Sequence, residues 1–87
     1  MSVEPSGSEI DALVREEKRL TAVESHTEAW IDSVSAGIEP DIIAEAAMMT
    51  ALAELSRSSG ENAVLALLER MRERVVAGEF LPLLVRH

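Results

Sequence analysis

Apolar positions along the chain recur at helical rather than alternating spacing, and they fall into three blocks separated by glycine and serine. In the first block Ile10, Leu13, Val14, Leu20, Val23, Trp30, Ile31 and Val34 stand at steps that sum to helical turns, with Leu13, Leu20 and Val34 on one seven-residue row. That is one face of a long helix. Glu17, Glu24 and Thr27 interrupt the face, so the stripe is narrow, and the segment from Glu24 to Glu28 is open to a bend or to exposure. Ser6 with Glu9, or Ser8 with Asp11, has the spacing of an N-terminal cap, and Gly37 suits the left-handed residue that ends a helix. Residues 1–7 include Pro5 and Gly7 and carry no apolar period, which predicts a flexible arm ahead of a single helical domain over residues 8–87.

A second helix is announced by Glu39-Pro40-Asp41, because proline is tolerated in a first turn and acids suit the positive end of the helix dipole. The spacing predicts helix from Pro40 to about Arg57. Its sequence is apolar nearly all round, with Glu45, Thr50 and Glu54 as the polar interruptions. Such a helix is normally buried on more than one side, and in a chain this short part of it is left over for another molecule.

Ser56 to Gly60 reads as a loop, with Ser58 and Glu61 at capping-box spacing for a third helix. Val64, Leu67, Leu68, Met71 and Val75 make its stripe. Glu69 with Arg72 and Arg70 with Glu73 are opposite charges three residues apart, and Gly78 closes the helix. The tail EFLPLLVRH is too apolar to stay in water, so it docks either into the chain's own core or onto a second chain. The fold class that follows is all-α: three helices, the first one long, with a docked apolar C-terminal tail.

Length sharpens this picture, since a domain of 87 residues buries only about 60 to 65 percent of the surface its unfolded chain exposes. There is no cysteine, so no disulfide framework can compensate for a thin core, and association with another chain becomes the default expectation. The missing cysteines and the polar residues after Met1 are read as cytoplasmic. The longest uncharged stretch of the second helix, Ala46 to Ala53, falls far short of the ~20 apolar residues of a membrane span.

The formal net charge of -8 is uneven: residues 1–37 carry eight acids against three bases, residues 38–60 four against one, and residues 61–87 four of each. Nucleic-acid affinity comes largely from lysine and arginine displacing counterions, so direct DNA or RNA binding is not expected. The acids either keep an exposed face in solution or meet a basic surface on a protein.

Chemistry is thinly represented. Ser25-His26-Thr27 sets hydroxyls beside a histidine by adjacency alone, and neighbours on a helix point in different directions, so no nucleophile–base pair results. Metal-ligand spacing is absent, as are the phosphate-binding glycine motifs; there is no tyrosine, and Lys18 is the single lysine. The expectation is a protein without enzymatic activity, cofactor or metal. Met48-Met49 is read as gap-filling core or, alternatively, as an adaptable contact surface. Trp30 is read as internally packed or as an interface anchor. The candidate partner-binding residues are Trp30, Ile42, Met48, Met49, Leu52, Phe80, Leu81, Leu83 and Leu84.

From Ile38 to Pro82 the run of EPD, SSGENAV, LLERMRER and GEFLP resembles small helical proteins of proteobacteria, the quorum-sensing antiactivators of the QseM-like and, more remotely, TraM-like kind. The resemblance implies a non-enzymatic inhibitor that binds a transcriptional activator, such as a LuxR-type regulator of conjugative transfer, and stops it from working. It transfers no individual binding residue. The other reading of the residues is a self-associating structural module or accessory subunit, whose apolar helix completes a homodimer. An antitoxin reading is weaker, because the chain lacks the basic DNA-binding segment such proteins usually carry.

Overall fold

The computed structural model describes residues 6–81, and these form three α-helices: α1 Gly7–Ser35, α2 Pro40–Ser59 and α3 Glu61–Val76. No strand occurs among the described residues. Residues Leu83 and Leu84, with the rest of the segment 82–87 and residues 1–5, lie outside the description. The chain divides into two units, Met1–Ile43 and Ala44–His87.

In the first unit α1 begins where the capping signal placed it. Ser6 has extended backbone and its hydroxyl accepts the Glu9 amide at 3.2 Å, which satisfies one of the unpaired N–H groups of the first turn. Between the two candidate caps, the structure selects Ser6, and the helix starts at Gly7. The segment Glu24–Glu28, open to a bend on sequence grounds, stays helical, and α1 runs 29 residues without a break. Polar side chains near this stretch turn back on their own helix: Thr21 Oγ1 donates to the Glu17 carbonyl at 3.0 Å and His26 Nδ1 to the Ala22 carbonyl at 2.8 Å. A carbonyl oxygen only accepts, so the His26 proton in this bond sits on Nδ1.

α1 ends in a paired set of bonds about Gly37, which has φ 83°. The Ile38 amide donates to the Ser33 carbonyl at 3.2 Å and the Gly37 amide to the Val34 carbonyl at 2.9 Å, the Schellman arrangement that satisfies the last carbonyls of a helix. α2 then opens with the Ile43 amide bonded to the Glu39 carbonyl at 3.0 Å. Glu39 is therefore the cap residue, Pro40 the first helical position and Asp41 the acid in the first turn. Ile38 and Ile43 occupy the positions that pair as a hydrophobic staple across a helix start. Ile43, 8% exposed, is the one buried hydrophobic residue among those described.

In the second unit the remainder of α2 and α3 form a helical hairpin joined through Gly60 alone. The sequence reading of Ser56 to Gly60 as a loop is corrected: α2 continues to Ser59. Ser58 does not cap α3, because it lies in the last turn of α2 and donates its hydroxyl to the Leu55 carbonyl at 3.3 Å. The N-cap is Gly60 itself, without a side-chain cap bond. Half-buried positions mark the seam of the hairpin: Leu52 and Leu55 on α2, and Ala63, Val64, Leu67, Leu68 and Met71 on α3. These α3 positions are the expected stripe, except that Val75 at its far end is exposed.

α3 closes like α1, with the Glu79 amide bonded to the Arg74 carbonyl at 3.1 Å, the Gly78 amide bonded to the Val75 carbonyl at 3.0 Å, and Gly78 at φ 79°. The apolar contact that usually accompanies this motif is replaced here by charge. Arg74 and Glu79, at the two ends of the motif, form an ion pair at 2.6 Å. Glu69–Arg72 and Arg70–Glu73 are not among the ion pairs of the described residues; those pairs are Glu16–Arg19, Glu54–Arg57 and Arg74–Glu79.

Candidate partner-binding surface

An amphipathic helix normally hides its stripe, yet α1 contains no buried residue. Leu13 is 66% exposed and Leu20 53%, and Ile10, Val14, Val23, Ile31 and Val34 are comparably open. Trp30, at 38%, is the best covered of the large apolar side chains on α1 and still counts as exposed. The internally packed alternative for Trp30 is therefore not what the structure contains.

Acids accompany this stripe. Glu17 and Glu24 stand seven residues apart on the same row as Ile10 and Ile31, so both carboxylates lie within the apolar face. Neither has an ion-pair partner among the described residues. The three bases of α1 lie elsewhere: Arg15, Lys18 and Arg19 together line a shallow hollow on the side of the helix away from the stripe. Arg19 is engaged by Glu16 through two bonds, at 2.6 and 3.0 Å. The hydrogen bond from Arg19 is the main reason that the Glu16 carboxyl is held below its ordinary value of 4.5, with the guanidinium charge acting in the same sense.

The other candidates divide by unit. In the first, Ile42 is exposed beside the buried Ile43, since successive residues of a helix face different ways. In the second, Leu52 is half-buried in the α2–α3 seam, which makes it part of the hairpin core. Met48 and Met49 are exposed, Met49 by 64%, which corrects the reading of this pair as gap-filling core. The expectation that α2 is covered on more than one side is corrected with it, because Ile43 is its single buried residue.

The described part of the tail is open to water: Phe80 and Leu81 are both exposed. Its tie to the hairpin is Arg74, whose guanidinium sits 5.1 Å from the centre of the Phe80 ring. Sequence reasoning did not single out Arg74, although a basic residue in the last turn followed within six positions by an acid and an aromatic is a usable signal. It also passed over Leu13, Leu20, Ile31 and Val34 as partner-binding candidates. Glu17 and Glu24 were the hint, since a stripe destined for a core rarely holds two unpaired carboxylates.

Among the described residues there is no group of three or more His, Asp or Glu side chains placed to hold a metal ion, and no helix long and apolar enough to cross a membrane. No protein-family model, curated protein or solved structure matches the chain.

Proposed function

We infer that the chain is a non-enzymatic regulatory protein that binds a transcriptional activator through an apolar helical surface and inhibits it, as a quorum-sensing or conjugative-transfer antiactivator does. The observation that carries the reading is the open stripe of α1 in a chain whose described residues bury Ile43 alone among the hydrophobics. Large apolar side chains left in water over a whole helix mark a surface that is completed by another molecule. Charge supports a protein rather than a nucleic acid as that molecule, because residues 1–60 carry twelve acids against four bases. The identity of the partner class rests on the resemblance of residues 38–82 to the antiactivators, and a DNA-binding activator presents the basic surface that such an acidic helical protein would meet.

Affinity capture from a lysate of the native host, followed by promoter-reporter output with and without the chain, tests the reading. Retention of a transcriptional activator, together with a fall in output from its promoter, is the expected result. Recovery of the chain alone, at a defined dimer mass and with the promoter unaffected, would overturn it in favour of a self-associating module.

A further inference from the structure

We propose that the α1 stripe is a docking face for an amphipathic helix that brings two basic side chains, two turns apart, to Glu17 and Glu24. The proposal rests on the reading of the chain as a partner-binding protein and specifies what the partner must carry.

The argument starts from placement. At about 100° per residue, Glu17 and Glu24 share a row with Ile10 and Ile31, about 10 Å apart along the axis, beside the row of Leu13, Leu20 and Val34. A helix laid along these rows covers both carboxylates. Burying an ionised carboxylate without a partner is strongly unfavourable, so the occupant must supply a counter-charge to each.

A second copy of α1 cannot do so by pairing face to face. Arg15, Lys18 and Arg19 each stand at least about 100° round the helix from Glu17 and Glu24, and Arg19 already holds Glu16. Two such stripes in contact would place four carboxylates in one seam with no base of either helix on that side. An uncharged apolar helix would cover the stripe but strand both acids. A helix with leucine-like residues at three- and four-residue steps and lysine or arginine at two positions seven apart satisfies the apolar rows and both charges together.

The test uses the full chain and two synthetic helical peptides of about three heptads with identical apolar seams. One peptide carries lysine at two seam positions seven residues apart, and the other carries glutamate there. Neither contains tryptophan, so emission from Trp30, which flanks the stripe, reports docking. The expected result is that the lysine peptide shifts Trp30 emission and binds on the order of tenfold more tightly than the glutamate peptide at low salt, with the gap narrowing at high salt. The paired substitutions Glu17→Lys and Glu24→Lys should reverse the preference. Glu17→Gln with Glu24→Gln should abolish it, and this milder pair serves if the charge reversal disturbs the helix by circular dichroism. Equal binding of the two peptides, or a preference that survives both sets of substitutions, overturns the proposal. So does a chain that is a sealed dimer and takes up neither peptide. Discrimination between the peptides without any effect on the activator's promoter would keep the docking face and remove the activator reading. Promoter repression without discrimination would do the reverse.

Discussion

At Gly60 the backbone sits at φ 89° and ψ 172°, a region open essentially to glycine, and a Cβ built there meets nothing within 4 Å. Substitution therefore isolates backbone strain from crowding. Gly60→Ala should destabilise the α2–α3 hairpin by about 1–3 kcal/mol in urea unfolding, and a neutral result would mean that the junction relaxes to another conformation. The two neighbouring isoleucines give a matched pair. Ile43 is buried at the staple position, so Ile43→Ala should cost about 2 kcal/mol, near the low end for such truncations because the surroundings are open enough to relax. Ile42→Ala, one residue away on an exposed face, should change stability by no more than about 0.5 kcal/mol. Glu16 makes a prediction in pH. Its carboxyl is depressed by the Arg19 hydrogen bond, so the pair's contribution is present above the ordinary value of 4.5 and is lost as pH falls through the lower folded value. Followed by NMR, the Glu16 titration midpoint should rise toward the ordinary value in Arg19→Gln; an unmoved midpoint would show that the pair does not persist in solution.

At the scale of the element, the helices were legible where the signal is local and obscure where it depends on neighbours. Ser6, Gly37, Pro40 and Gly78 act within one turn of chain, and each does in the structure what its residue type implies. Ser58 was misleading because a capping box needs an extended residue ahead of the helix, whereas a one-residue link through Gly60 leaves Ser58 inside α2. The core alternative for Met48 and Met49 failed for a different reason. The sequence shows that α2 is apolar all round, but burial is set by what packs beside a helix, and no period within the helix reports that. The continuity of α1 was left open by the run of polar residues from Glu24 to Glu28, and it is testable by proline. Thr27→Pro removes an internal helix bond and sets the ring against the preceding turn, which should cost about 3 kcal/mol and visibly lower the ellipticity at 222 nm. Unchanged ellipticity would show that the segment is not helical in solution.

For the whole molecule, the proposed docking of a helix on α1 implies that the docked helix contributes much of the stability. Hydrophobic burial is the main favourable contribution to folding, and among the described residues Ile43 is the one buried hydrophobic side chain, the α2–α3 seam being only half-buried. The free chain should therefore melt early and broadly. A ligand that binds the folded state alone stabilises it by mass action, by about 2.7 kcal/mol at a hundred times its Kd. For a chain of this size that corresponds to a rise in Tm of roughly 10–20 °C. The lysine-bearing helical peptide should produce such a rise and sharpen the transition, while the glutamate-bearing peptide, bound about tenfold more weakly, should at the same concentration stabilise by only about 1.4 kcal/mol and raise Tm about half as far. Added salt should erode the rise, because the encounter of an acidic chain with a basic helix is screened over about 10 Å at 0.1 M ionic strength. A free chain that already melts sharply and gains nothing from the peptide would mean that its stability is complete without a partner on α1. The exposed stripe could then no longer be the reason to expect one.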